Sequence, residues 1–286
     1  MKAEIEILQP GLFSTIQDNG RFGFMEFGVP VSGVMDKYAA KIVNLLLGNP
    51  VDAAVMEITL QGPQLKFHTA INICLSGADL SAAVNGNPVK RNELLQVENG
   101  DVLKFGKRKS GFRAYLGVSG GFDTEKVMNS RSWYRGITRN FKLEKNYFLK
   151  IHEFPLKTRS TNASIKVDEN YLFDKSIDAF PGPEFDKLSE EQQEEIFKVY
   201  FSLEVSSNRM AISFAEKFSN EIEPILTGPV LPGTVQLTPA GNVIALMQDC
   251  QTTGGYPRIL QLSEFGKQVL SQKMPGEKIR FKKVDY

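Results

Sequence analysis

The sequence predicts a mainly β protein with a few helices, organised as two β units in tandem. Three observations point there. Many short stretches are rich in β-branched and aromatic residues and end at Gly, Pro or Asn. The 24 glycines suit a turn-rich chain. Two strand-and-turn patterns recur, one copy in each half.

Strands are expected at 4–8, 54–60, 64–68, 71–77, 101–106, 112–121, 147–154, 163–167, 234–238, 242–249, 258–262 and 278–284. Such a run of short strands indicates sandwiches or barrels rather than a βαβ repeat. Three helices interrupt it. Asp36 can cap a helix over 37–47 that stops at Gly48, and Ala39, Ala40, Val43, Leu46 and Leu47 give it an apolar face. Ser189 and Gln192 match a capping box that opens an acidic helix over 190–200. Ser263 can cap a third helix over 264–271.

The two echoes pair 99–105 with 275–281, each a Gly and an acid before an alternating strand, and 14–20 with 233–241, which share Thr, a β-branched residue and Gln. The polar stretch 157–178 is the linker candidate, so the units are expected at 1–160 and 161–286. Asn162-Ala163-Ser164 matches a glycosylation acceptor, but no secretory signal accompanies it.

Charge is balanced, at 34 basic and 33 acidic residues. The basic stretch 104–113 is broken by Gly106, Ser110 and Gly111 and reads as a solvated turn, so no nucleic-acid partner is expected. No apolar run is long enough to span a membrane, and residues 1–11 read as a strand rather than a signal peptide. A cytoplasmic protein without membrane partners is expected. Cys74 and Cys250 lie in apolar runs and read as buried free thiols. His68 and His152 have no zinc-ligand spacing, so no metal site is expected.

Four stretches can carry chemistry. In 11–36, glycines recur around Gln17, Asp18, Arg21 and Asp36. Glycines let backbone N–H groups approach a ligand, Gln17 can read an amide, Asp18 can hold a proton, and Arg21 can grip a carboxylate or phosphate. The bland reading is a long surface connection. The segment lacks the Gly-Lys-Ser/Thr ending of a P-loop. Asn44 sits mid-helix as either a buried hydrogen-bonding group or a ligand contact, and Glu57 lies in an apolar strand where a buried carboxylate needs a partner. Asp79 follows a strand in "LSGAD", either as a site carboxylate or as a plain turn. Finally, "MQDCQTTGGYPRI", residues 247–259, crowds Gln248, Asp249, Gln251, Thr252, Thr253, Tyr256 and Arg258 around Gly254 and Gly255. It reads as a hairpin tip turning on Gly-Gly or as a ligand-binding rim.

The ordered blocks "STIQDNGRFGFMEFGVPVSGVMD", "NLLLGNPVDAAVMEITLQGPQLKF", "LSGADL", "GDVLKFG", "FRAYLGVSGGFD", "SRS", "GTVQLTPAGNVIALMQD" and "QTTGGYPRI" resemble the biotin-dependent carboxyltransferase family related to allophanate hydrolase subunit 2. The likeness covers nearly the whole chain. It implies two cyclophilin-like β-barrel units with a ligand cleft between them. It also implies a C-type subunit of a 5-oxoprolinase-like complex, which opens 5-oxoproline to glutamate with ATP and a B-type (KipI-like) partner, and with an A-type neighbour. Two alternatives come with it: a regulatory chain that binds the B-type partner and catalyses nothing, and carboxyl transfer from biotin to a urea-like acceptor. Biotin would have to come from a separate carrier, since the chain has no biotin-lysine motif. The substrates implied are planar cyclic amides or ureas. Asp18, Glu57 and Asp249 are the acid or base candidates. Gln17, Arg21, Asp36, Asn44, Asp79, Gln236, Thr252, Thr253, Gly254, Gly255 and Tyr256 are the binding candidates.

The chain also departs from the family pattern. The glycine-rich loop after "SRS" becomes "WYRGITRNFKLEKN", and the Asp-Arg-Met-Gly-Tyr-Arg-Leu block becomes "NRMAISF". Loss of the glycines removes a backbone cradle for an anion.

Overall fold

The computed structural model describes residues 4–152 and 166–285. The 160/161 boundary, residues 157–165 of the linker candidate, the Asn162-Ala163-Ser164 sequence and the ends of two expected strands lie outside the described residues. The chain forms two compact units: residues 1–20 with 36–172, and residues 21–35 with 173–286. The fold class is the mainly β class expected, with three α-helices among the described residues.

In the first unit the strands are β1 (Glu4–Gln9), β2 (Phe13–Gln17), β3 (Val55–Thr59), β4 (Gln64–Phe67), β5 (Ile71–Asp79), β6 (Ala83–Val84), β7 (Asn87–Pro88), β8 (Leu94–Val97), β9 (Val102–Lys104), β10 (Ser110–Val118) and β11 (Phe148–Lys150). They make a six-stranded sheet, β11-β1-β4-β9-β6-β7, and a five-stranded sheet, β2-β3-β10-β5-β8. Strand β1 alternates: Ile5 and Ile7 are fully buried while Glu4 and Glu6 are half-buried. The inward residues join Met56, Ile58, Phe67, Leu116 and Trp133 in one core. Strand β3 is buried along its whole length, Glu57 included.

Helix α1 (Lys37–Leu47) packs on β10 and β5. The Asp36 side chain accepts from the Ala39 N–H, and Gly48 ends the helix in the left-handed region at φ 69°. Gly117 in β10 makes this approach close, because a Cβ there would run into Val43.

In the second unit the strands are β12 (Ser176–Pro181), β13 (Phe201–Ser202), β14 (Ala211–Lys217), β15 (Gly228–Pro229), β16 (Thr234–Leu237), β17 (Asn242–Leu246), β18 (Thr253–Gly254), β19 (Arg258–Leu262) and β20 (Lys278–Lys283). Seven of them form one sheet in the order β13-β20-β12-β19-β16-β17-β14. A bridge between Leu203 and Phe214 ties its two ends, so the sheet nearly closes on itself. Phe201, Phe214 and Phe281 fill it, with ring centroids 5.4–5.8 Å apart. The ribbon β15-β18 stands outside this sheet.

Helix α2 (Glu190–Glu195) has the expected capping box, and α3 (Glu264–Ser271) the expected Ser263 cap. Two expectations need correction. The acidic helix ends at Glu195 rather than at residue 200, because Phe197 and Lys198 donate to carbonyls three residues back and the turn tightens. Lys166 and Val167, the described part of the strand expected at 163–167, are not in a strand.

Candidate functional site

The stretch 247–256 is not a hairpin turning on Gly-Gly. Neither Gly254 nor Gly255 has a positive φ. Instead Thr253 and Gly254 form β18, which pairs with Pro229 and Gly228 of β15. The absence of a side chain at Gly254 serves a close approach: a Cβ there would lie 2.6 Å from Gln236 Nε2. Gln236 is buried in β16 and donates to the Tyr256 carbonyl at 3.4 Å. The Thr252 carbonyl accepts from Val230 N–H and the Gly255 carbonyl from Ile225 N–H. Thr253 and Tyr256 remain exposed.

The same end of the second unit holds Asp249. Its carboxylate meets the Arg209 guanidinium twice, at 2.8 and 3.0 Å. Arg209 is the arginine of the altered "NRMAISF" block, and a further bond reaches from it to the Gly33 carbonyl at 2.7 Å. Gln248 continues the seam. Its backbone carbonyl accepts from Ser32 N–H at 2.8 Å, and its Nε2 donates to the Val34 carbonyl at 3.0 Å. The structure thus brings part of the glycine-rich 11–36 stretch onto the 247–256 rim. Arg21 belongs to this unit as well, fully buried, with its backbone N–H on the Val31 carbonyl. Arg258 anchors the rim's far end through Glu184, at 2.7 and 2.9 Å. Burial and the adjacent Asp249 push the Cys250 thiol up to about 12, so it stays a neutral thiol.

Gln17, Asp18, Asp36, Asn44, Glu57 and Asp79 belong to the first unit. Asp18 follows β2, and its carboxylate accepts from Ser130 Oγ, Ser132 Oγ, Arg131 N–H and Gly20 N–H at 2.6–2.9 Å. It fastens the "SRS" loop. Gln17 is fully buried and donates to Trp133 O and Thr15 Oγ1. Asp36 and Glu57 share a buried chain. The Asp36 N–H donates to Tyr115 Oη, and that hydroxyl donates to Glu57 at 2.8 Å. Tyr171 Oη donates to the Asp36 carboxylate at 2.7 Å. Glu57 is 1% exposed, with Arg113 3.8 Å away. Desolvation first, then the Glu57 and Asp36 charges, raise the Tyr115 hydroxyl well above its ordinary pKa, so it is a fixed donor. Asn44 donates to Ala53 O at 2.8 Å and accepts from Asn49, which also bonds Val118 O and Gly120 N–H. Asp79 accepts from Ser81 N–H and pairs loosely with Lys109 at 3.8 Å.

Residues 27–283 match the model of the carboxyltransferase domain, subdomain A and B. The chain belongs to this family. It is 32% identical to the C subunit of Escherichia coli 5-oxoprolinase over 97% of its own length and 90% of that protein's. Its identity to the Haemophilus influenzae protein of the same name is 31%, over 98% and 91%. The solved urea amidolyase of K. lactis shares its fold with a TM-score of 0.87 at 27% identity, covering 100% of this chain but 19% of that one.

As a carboxyltransferase-family chain, its departures from the family pattern gain structural meaning. Trp133 is buried in the first unit's core, and Arg135 lies over the Phe141 ring at 4.3 Å. Bulky side chains thus stand where the family pattern has glycines, and Arg135 and Arg139 are exposed. Among the described residues no group of three or more His, Cys, Asp or Glu could hold a metal ion, and no helix is long and apolar enough to cross a membrane. Sequence reasoning missed Arg209 and Ser32. Arg209 lies 40 residues from its partner Asp249, so no local pattern joins them.

Proposed function

We propose that this chain is the C-type subunit of a 5-oxoprolinase-like complex, which hydrolyses a cyclic amide with ATP and needs a B-type partner. The observation that carries this reading is the end-to-end match to two proteins named as the C subunit of 5-oxoprolinase, each covered over at least 90% of its length. The urea amidolyase match covers a fifth of a far longer chain, which favours the lactam over the urea reading. The overall reaction consumes lactam, water and ATP and yields the open amino acid, ADP and phosphate.

The second unit's seam supports a role in handling the amide. Arg209 holds both oxygens of Asp249 in one orientation, and Gln236 presents an amide beside the Tyr256 carbonyl. In this reading Asp249 takes the acid or base role, and Gln236 with Thr252 and Thr253 position the substrate. ATP is assigned to the complex, and no step on this chain runs through it. A neighbouring biotin carboxylase gene would instead favour carboxyl transfer to a urea-like acceptor.

The test is omission. ADP release that depends on 5-oxoproline is measured with the B-type and A-type neighbours, with and without this chain. The expected result is turnover only when the chain is present. Tight binding to the B-type partner without any 5-oxoproline dependence would replace this reading with the regulatory one.

A further inference from the structure

Two buried polar atoms of the second unit, the Ser32 hydroxyl and the Gln251 side-chain carbonyl, have no hydrogen-bond partner among the described residues. Their segments are joined by a backbone bond: Ser32 N–H donates to the carbonyl of Gln248, three residues before Gln251. Nearly all buried polar groups in native proteins are bonded, so two orphans on segments joined by that bond call for partners from outside the chain. The Ser32 hydroxyl is also held in place. Ser32 has φ 57° and Gly33 φ 91°, and the Gly33 carbonyl is tied to Arg209 at 2.7 Å. A non-glycine residue in the left-handed region is uncommon, and such strain clusters at ligand sites.

The chemistry of the two atoms is complementary. A hydroxyl can donate, and a glutamine carbonyl only accepts. An amide or ureido group carries a carbonyl acceptor and an N–H donor on adjacent atoms. We propose that such a planar group binds at this seam, its carbonyl accepting from the Ser32 hydroxyl and its N–H donating to Gln251 Oε1. This rests on the cyclic-amide reading above and names two residues that recognise the substrate class.

Titration calorimetry of the full chain, alone and mixed with its B-type neighbour, tests the assignment with 5-oxoproline as the lactam probe and urea as the ureido probe. Wild type is expected to bind at least one of them. Ser32→Ala and Gln251→Met should each weaken that binding about tenfold, the loss of one hydrogen bond. The melting temperature of unliganded Ser32→Ala should hold or rise, since the hydroxyl removed has no partner in the protein. A fall in that temperature would overturn the proposal, as would unchanged affinity in either variant or a wild type that binds neither probe. Binding of the expected pattern in a complex that releases no 5-oxoproline-dependent ADP would retire the proposed reaction and leave this site standing.

Discussion

Arg258 shows how one side chain anchors the rim. Its guanidinium meets both oxygens of Glu184, and its backbone N–H donates to the same carboxylate at 2.9 Å. The Arg258 hydrogen bond lowers the Glu184 pKa from its ordinary value. A carboxyl bound in its ionised form stabilises the fold above the unfolded-state pKa of about 4.3. That contribution fades as the pH falls from there through the lower folded value. Glu184→Gln is therefore expected to cost on the order of 1–3 kcal/mol at neutral pH. The gap from wild type should narrow below about pH 4.3. Thermal scans of both proteins across the acid range read this directly, and a gap constant down to the lowest pH would contradict it. The sequence singles out Gln248 and Asp249 but not the groups they meet. Ser32, whose N–H donates to the Gln248 carbonyl, and Arg209, which pairs with Asp249, come from distant segments that only folding brings in.

At the scale of the element, caps were the most readable signals. Asp36 with Gly48, Ser189 with Gln192, and Ser263 each do local work that depends on neighbours three or four residues away. Strand β2 was unreadable for the opposite reason. Ser14, Thr15, Ile16 and Gln17 are all buried, so no polar-apolar alternation marks it. The 14–20 and 233–241 echo was a better guide. It maps onto β2 and β16, one in each unit, and each buried glutamine donates to the carbonyl of an aromatic residue, Trp133 or Tyr256. Close packing sets the other constraint. Gly266 lies in α3 where a Cβ would strike the Asp178 carbonyl of β12. Alanine gains about 1 kcal/mol in helix propensity. The backbone it meets cannot swing aside, and overpacking costs about 1–3 kcal/mol. Gly266→Ala is thus expected to destabilise the chain by up to roughly 2 kcal/mol in urea unfolding, whereas the helix scale alone predicts a gain.

For the whole molecule, the mainly β class was legible from strand density and glycine content, and the two-unit plan from the echoes. The pairing of residues 21–35 with the C-terminal unit was not, because nothing in a linear pattern says that a segment joins strands two hundred residues later. That pairing gives the seam its partners and underlies the proposed function, in which Asp249, held by Arg209, acts on a cyclic amide. The most direct test is the steady-state rate of 5-oxoproline-dependent ADP release by the reconstituted complex carrying Asp249→Asn. The change keeps the side chain's shape and one acceptor for Arg209 but removes the charge. The expected kcat is lower by about 10²–10⁴-fold, with the complex still assembled. Full turnover by the assembled Asp249→Asn complex would contradict it.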